Sequence, residues 1–160
     1  MNTKTLEDGT LCLDGDILKG AEEAFNESRY VEAFALLHAF IDWCMTDLIQ
    51  LDGCIRDSSK TEELLFNSKY RFRNSLNILK SKKIIDENEC QRLLKFYDLR
   101  NLIIHRLVTR SYGNRPTGET NRVTIDEVKK GFEEGIDLAC LLKGKTASVI
   151  CKRQKDTWQH

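Results

Sequence analysis

Proline is almost absent from this chain of 160 residues, in which Pro116 is the only one. Because proline interrupts regular structure more strongly than other residues, its scarcity favours long uninterrupted helices. Pro116 lies in RSYGNRPTGETNR, the one long stretch with plain loop composition. Elsewhere apolar residues recur at spacings of three and four, and no run of alternating β-branched residues is convincing. The sequence therefore predicts an all-α fold.

The chain also lacks net charge, since 25 basic residues balance 25 acidic ones. No overall field draws the protein toward nucleic acid or an anionic membrane, so any such contact must be local. Its hydrophobic fraction of 41% is that of a folded protein rather than a disordered chain. We expect one domain over residues 1–160, with a core over about 14–143. For the basic tail, 144–160, a solvated terminus is favoured over phosphate contact.

Three further absences concern location, cysteine chemistry and metal sites. No run of about eighteen uninterrupted apolar residues predicts a membrane span, and the amino terminus lacks a signal-peptide pattern, so we expect a cytoplasmic protein without membrane contact. The six cysteines form no C-x-x-C pair and suit reduced, buried thiols, and nothing marks a catalytic one. None of the three histidines pairs with a cysteine at ligand spacing, so neither a metal nor another cofactor is predicted.

Helical periodicity predicts an up-and-down bundle of four to five antiparallel helices. The five helical segments cover about 14–26, 30–51, 61–81, 87–109 and 125–143. Capping boxes open the last two, Asp86 with Glu89 and Thr124 with Glu127, because residues three apart can satisfy each other's free amides. In the fifth helix a pair of glycines four residues apart, 131 and 135, is read as a mark of close helix packing.

An arginine interrupts the apolar face of the fourth helix. At about 100° per residue, Arg100 falls about 20° from Leu93, at the centre of an apolar stripe. The other members of the stripe are Leu94, Phe96, Tyr97, Ile103, Ile104, Leu107 and Val108. Asn101 and His105, four residues apart, lie at one shoulder of the same face. Because a buried unpaired guanidinium is very costly, Arg100 must meet an acid or extend outward.

The second helix carries its own polar residues on an apolar face. His38 and Asp42, four residues apart, fall in the middle of its core stripe. Asp42 is the predicted partner of Arg100, and His38 is a supporting residue or a hydrogen-bonded core histidine. A buried Arg–Asp pair can also serve only to fix helix register or a dimer contact, so a purely structural reading stays open.

The order of residue types in LRNLIIH, Arg100-Asn101-x-x-x-His105 within one helix, resembles the signature of the HEPN superfamily. The segment SLNILKSKKIIDENECQRLLKFYDLRNLIIHRL is similar to the second half of that family. EAFALLHAFIDWCMTDLI is similar to its earlier helix, in which an acidic residue often faces the motif, and Asp42 matches that place. The resemblance covers about residues 14–143 and is strongest for small stand-alone domains and relatives of the mannitol operon repressor.

The resemblance implies a homodimer whose motif helices face each other. In active members this arrangement is a metal-independent endoribonuclease of toxin–antitoxin or defence systems, with RNA as substrate and Arg100, Asn101 and His105 as the site. Such cleavage needs a base, an acid and positive charge at the phosphate. Histidine titrates in the required range, and the arginine fork fits a phosphate. One chain supplies one motif histidine, so a symmetric dimer supplies two.

The segment after the motif is the candidate substrate-binding region. Arg110, Tyr112, Arg115 and Arg122 offer phosphate and base contacts, although an accidentally basic loop is the alternative. Leu107 stands where one toxin branch carries a tyrosine that its antitoxin modifies, which argues against that scheme while leaving a protein inhibitor or regulatory partner open. Relatives of the mannitol repressor often lack the catalytic pair, so a non-catalytic interaction or regulatory module is the alternative function.

Overall fold

The computed structural model describes residues 2–5, 11–14, 16–51, 71–111 and 123–157. Five helices lie in these ranges: α1 (Ile17–Asn26), α2 (Tyr30–Leu51), α3 (Arg71–Ser81), α4 (Glu87–Ser111) and α5 (Ile125–Thr157). They are preceded by two short antiparallel strands, β1 (Asn2–Thr5) and β2 (Leu11–Asp14). Because the helices pack against one another, the predicted all-α bundle is confirmed.

Several boundaries differ from the sequence prediction. Helix α1 begins at residue 17 rather than 14, because the Asp16 side chain accepts the Leu18 amide at 3.0 Å and caps the first turn. The strand pair was not predicted, since four-residue strands are too short for alternation to stand out. Of the predicted third helix, the part before residue 71 lies outside the described residues.

The predicted end of the fifth helix at 143 is wrong, because α5 continues to Thr157. Gly144 is tolerated inside the helix, and Lys145 ties the extension to the bundle. The Lys145 ammonium donates to the carbonyl of Ile84 at 2.9 Å and lies 3.0 Å from Glu89. Residues 144–157 are therefore helical, and Val149 among them packs against the core.

Both predicted capping boxes are present. The Asp86 amide donates to Glu89 Oε2 and the Glu89 amide donates to Asp86 Oδ1, each at 2.8 Å. At the start of α5, the Thr124 amide donates to the Glu127 carboxylate at 2.7 Å, and the Glu127 amide donates to the Thr124 hydroxyl at 3.2 Å. Hydrogen bonds from the Thr124 backbone and side chain lower the pKa of Glu127. These boxes fix where α4 and α5 begin.

Helix α2 is the centre of the bundle, since each of the other four described helices packs against it. Its buried residues are Ala33, Phe34, Leu37, Phe40, Ile41, Cys44, Met45, Leu48 and Ile49. With 22 residues and a mean hydropathy of 1.2, α2 meets the length and composition of a membrane span, which the sequence analysis did not anticipate. The core helix of a bundle can have the same length and hydropathy. Helix α2 carries Asp42 and Asp47, and 44% of its most apolar 18-residue segment is buried inside the bundle.

Two glycines in α5 bring its backbone close to α4 and α2, as the sequence predicted. A Cβ added at Gly131 would lie 2.0 Å from Leu99, and one at Gly135 would lie 2.4 Å from Phe96 and 2.6 Å from Leu37. Residue numbers fall along α4 as they rise along α5, so these two helices are antiparallel. The Arg92–Glu134 ion pair, at 2.6 Å, joins the same two helices.

Helices α2 and α4 also run in opposite directions. On α2, Phe34 lies 3.9 Å from the Cβ position at Gly131, and Leu37 lies near the Cβ position at Gly135. Residue numbers therefore rise along α2 as they rise along α5. Helix α2 is therefore parallel to α5 and antiparallel to α4. It follows that Phe34 lies level with Leu99 and that Leu37 lies level with Phe96. This alignment decides which residues of the predicted site can meet.

Candidate functional site

The apolar stripe of α4 is present, with Arg100 at its centre. Leu93, Phe96 and Ile103 are buried in the core. Arg100 stands among them half-buried, and its Nε atom is fully buried. The placement of an arginine on the core-facing side of this helix, which helical periodicity predicted, is therefore confirmed.

The guanidinium of Arg100 is held by its neighbour in the sequence. Its Nη1 atom donates to the Asn101 Oδ1 atom at 2.8 Å. Its buried Nε atom has no hydrogen-bond acceptor among the described residues. A single neutral amide does not offset the burial of a charged group, because charged groups inside proteins are stabilised by pairing and several hydrogen bonds. The site thus contains a cation whose interactions within the described bundle are incomplete.

The predicted ion pair between Arg100 and Asp42 is not formed among the described residues. Helix direction supplies the reason. Phe34 lies level with the residue before Arg100, and Asp42 follows Phe34 by eight residues in the direction that leads away from Arg100. Arg100 lies one residue further the other way, so the offset along the bundle is about 13.5 Å, at 1.5 Å per residue. Asp42 Oδ1 is nevertheless a buried atom, and the role of Asp42 as a supporting residue stays a prediction.

His38 lies in an aromatic cluster that joins three helices. Its ring is 5.2 Å from Phe72 of α3 and 5.6 Å from Tyr97 of α4, measured between centroids. Phe72 and Tyr97 stack at 4.6 Å with an interplanar angle of 12°. Tyr97 precedes Arg100 by three residues and so lies beside it on α4. The cluster fixes the face on which Arg100 stands.

Phe72 and Tyr97 were not proposed as site residues from the sequence. Tyr97 was read only as a member of the apolar stripe. Its position one turn before Arg100 was a usable signal, because residues three apart on a helix are neighbours. Nothing in the sequence indicated Phe72, whose contact with His38 depends on how α3 packs against α2.

His105 lies further along α4 and faces outward. It is exposed, whereas Asn101 is half-buried. Arg100 and His105 are separated by about 7.5 Å along the axis and about 140° around it. Because Leu99 lies level with Gly131, His105 lies level with the start of α5. One end of the bundle thus carries an inward-facing arginine and an outward-facing histidine.

Of the predicted substrate-binding residues, Arg110 has its backbone in the last turn of α4, although the sequence analysis placed it in a loop. Its side chain is outside the described part of the chain, as are Tyr112, Arg115 and Arg122. Their proposed contacts with RNA stay predictions.

The four cysteines whose side chains the structure describes divide into a buried pair and an exposed pair. Burial raises the pKa of the Cys44 thiol to about 11 and also raises the pKa of Cys90. Both are thus protonated at neutral pH and suit packing rather than nucleophilic chemistry. Cys140 and Cys151 are exposed on α5, contrary to the expectation of buried thiols. Within the described ranges, no group of three or more histidine, cysteine or acidic residues could hold a metal ion.

Comparisons of the chain with protein-family models, curated proteins and solved structures found no match. The sequence resemblance and the arrangement of residues along α4 are therefore the observations that bear on function.

Proposed function

We propose that this protein is a metal-independent endoribonuclease of the HEPN type, which cleaves RNA as a homodimer. The observation that carries the proposal is the state of Arg100. Its guanidinium stands on the core-facing stripe of α4, with Nε buried and without an acceptor among the described residues. A purely structural role gives no reason for such a group, because an apolar side chain would be more stable there. A phosphate bound at the exposed part of the guanidinium would add acceptors for its charge beyond the Asn101 amide, the acceptor found among the described residues.

The chemistry assigned to these residues is a transesterification. His105 takes the proton from a ribose 2′-hydroxyl, the 2′-oxygen bonds to the adjacent phosphorus, and the bond from phosphorus to the 5′-oxygen breaks. The leaving 5′-oxygen receives a proton from the histidine of the second copy. Arg100 stabilises the negative charge that grows on the phosphate oxygens, and Asn101 orients the guanidinium. The products are a 2′,3′-cyclic phosphate and a 5′-hydroxyl.

A homodimer follows from the number and position of the acid–base groups. The reaction needs one group to accept a proton and another to donate one, and each chain carries one motif histidine. His105 is exposed near one end of the bundle, where a second copy can approach it. A two-fold axis beside α4 would bring two histidines to one cleft.

The biological setting belongs to the same proposal. A nuclease of the toxin or defence kind acts on cytoplasmic RNA and requires control, so a protein inhibitor or regulatory partner is part of the proposal. No cofactor is required, because proton transfer and charge stabilisation come from side chains. The basic and aromatic residues after the motif, Arg110, Tyr112 and Arg115, are proposed to bind the RNA strand.

The test compares RNA cleavage by four proteins in the presence of a chelator. Wild type and Lys95→Ala should cleave equally, because Lys95 is exposed on α4 and lies off the stripe. His105→Ala and Arg100→Ala should lose activity by about 100-fold or more, the usual scale for removing an acid–base or charge-stabilising group. Equal cleavage by all four proteins, or cleavage by none, overturns the proposal.

A non-catalytic interaction module is the second candidate, and one observation favours it. Trp43 on α2 is 54% exposed. This favours an interaction surface, because tryptophan is enriched at protein interfaces. On this reading Arg100 and His105 contribute to a contact surface rather than to chemistry. Absence of cleavage by wild type, together with a Trp43 fluorescence change on addition of the physiological partner, would favour this candidate.

A further inference from the structure

The ring of Tyr97 is held in place by residues of two other helices. It stacks on Phe72 of α3, with the centroids 4.6 Å apart and an interplanar angle of 12°. The ring of His38 on α2 lies 5.6 Å away at a tilt of 38°. These contacts use the carbon atoms of the Tyr97 ring, so a phenylalanine at this position would make them equally well. Packing therefore accounts for the ring of Tyr97 and gives no reason for its hydroxyl group.

The hydroxyl group of Tyr97 makes no hydrogen bond to the described residues. Tyr97 is half-buried, and its hydroxyl oxygen is not a buried atom, so the hydroxyl reaches the surface of the bundle. A surface hydroxyl is hydrated in the free protein, and a ligand oxygen can replace that water at little cost. The ring thus holds a hydrogen-bond donor at a fixed place on the surface.

Helix geometry places Tyr97 beside Arg100 and Asn101. These two residues follow Tyr97 by three and four positions, the spacings at which side chains of one helix are neighbours. All three residues are half-buried, so they form one strip of α4 that is partly open to solvent. Side chains on a helix lean toward its N-terminus, which carries the side chain of Arg100 toward the turn that holds Tyr97. The strip therefore offers two kinds of donor, a guanidinium and a hydroxyl, about one helical turn apart.

The charges beside this strip suit an anionic ligand. Asp98 directly follows Tyr97, and it pairs with Arg73 of α3 at 3.7 Å, so its charge is offset. Arg100 adds a second positive charge that no acidic residue in the described part of the chain pairs with. A strand of phosphates would therefore meet no net repulsion at Tyr97.

We propose that the Tyr97 hydroxyl donates a hydrogen bond to the RNA phosphate next to the one that Arg100 holds. The inference rests on the proposed ribonuclease, and it adds the kind of substrate that the site requires, a strand with at least two consecutive phosphates. Tyrosine is among the side chains that contact phosphate oxygens in protein–DNA complexes, and the phosphates of RNA offer the same oxygens. Tyr97 is then a binding residue that holds the strand, while proton transfer stays with His105.

Replacement of Tyr97 by phenylalanine isolates the hydroxyl, because the ring and its stacking on Phe72 are kept. A short fluorescein-labelled RNA with every 2′-hydroxyl methylated cannot react, so fluorescence anisotropy measures its Kd. Tyr97→Phe should raise that Kd about tenfold, the usual scale for a hydrogen bond to a charged group. Tyr30→Phe, the same change at a half-buried tyrosine that packs against Phe25 of α1, should leave the Kd unchanged. The midpoint of urea unfolding of Tyr97→Phe should match that of wild type, so a weaker Kd reports the lost contact rather than a lost fold.

Cleavage of short chimeric oligonucleotides tests which phosphate is bound. A single ribonucleotide among deoxynucleotides fixes the bond that breaks, because only that nucleotide has a 2′-hydroxyl. For wild type, a second phosphate on one side of that bond should raise kcat/KM about tenfold over the dinucleotide, which has the scissile phosphate alone. Tyr97→Phe should lose this gain and should cleave the dinucleotide as wild type does. An equal loss on the dinucleotide overturns the proposal.

The results separate this contact from the ribonuclease itself. If wild type cleaves RNA in chelator and Tyr97→Phe matches it in Kd and in kcat/KM, the contact is overturned and the ribonuclease stands. A lower kcat at unchanged Kd also overturns the contact, since the hydroxyl would then act on the reaction rather than on the strand. Weaker binding by Tyr97→Phe in a protein that cleaves no RNA supports the contact and overturns the ribonuclease. Absence of RNA binding by wild type overturns both.

Discussion

At the scale of single residues, Arg100 combines a stability cost with a proposed catalytic use. Its Nε atom is buried, and the described residues supply an acceptor only to its Nη1 atom. Replacement by methionine keeps the long stem, removes the charge and fills the stripe between Phe96 and Ile103. We expect Arg100→Met to stabilise the protein by about 1–2 kcal/mol, since removing a poorly satisfied buried group removes its desolvation cost.

Urea unfolding of Arg100→Met measures this effect, with Lys95→Met as the matched control at an exposed position of the same helix. The control should change the free energy of unfolding by less than about 0.5 kcal/mol. A more stable protein that no longer cleaves RNA would show that arginine is retained for function. A loss of 2 kcal/mol or more would mean that the guanidinium is well paired in the folded state.

The sequence predicted the position of Arg100 but not its neighbours. Helical periodicity assigns a residue to one face of a helix from local spacing alone. On that basis Arg100 was correctly predicted to lie on the same face of α4 as Phe96. Whether Arg100 can meet Asp42 depends on the relative direction of two helices, which the local spacing of residues does not determine. The stacking of His38 on Phe72 was beyond prediction for the same reason.

At the scale of helices, two glycines of α5 differ in whether the surrounding structure leaves room for a side chain. A methyl group at Gly135 would lie 2.4 Å from Phe96 and 2.6 Å from Leu37, whereas one at Gly144 would meet nothing within 4 Å. We expect Gly135→Ala to destabilise the protein by about 1–3 kcal/mol through overpacking. Gly144→Ala should stabilise it by up to about 1 kcal/mol through helix propensity.

Thermal or urea unfolding of Gly135→Ala and Gly144→Ala, beside wild type, measures the change in the free energy of unfolding for each variant. The comparison is internal, because the same substitution is made in the same helix nine residues apart. Equal effects at both sites would contradict the account of α5, since they would mean that the close contact at Gly135 is absent.

The sequence predicted helix starts better than helix ends. Asp86 with Glu89 and Thr124 with Glu127 form the capping boxes that their spacing indicated, because a cap depends on residues within one turn. The end of α5 was misplaced because the residues after Gly144 show no clear apolar period. A tertiary contact holds the part of α5 after Gly144 against the bundle. It is the hydrogen bond from the Lys145 ammonium to the carbonyl of Ile84, between α3 and α4, and local sequence patterns do not reveal such a contact.

At the scale of the whole molecule, the residues of the proposed site lie toward one end of the bundle. This motif end carries Arg100 and His105, and it is level with the start of α5. Helical periodicity predicted a helical bundle, and the core around α2 agrees with it. Composition did not predict that α2 runs parallel to α5, since the direction of each helix depends on long connections as well as on periodicity. The assignment of function depends on the motif end alone.

The central claim is that this end of the bundle cleaves RNA by transesterification without a metal ion. Analysis of the ends of the RNA fragments, produced in chelator by wild type and absent with His105→Ala, tests it most directly. The account predicts a 2′,3′-cyclic phosphate on one side of each break and a 5′-hydroxyl on the other, with no cleavage where the 2′-hydroxyl is replaced by hydrogen. Fragments with a 5′-phosphate and a 3′-hydroxyl, or breaks at deoxyribose positions, would contradict it.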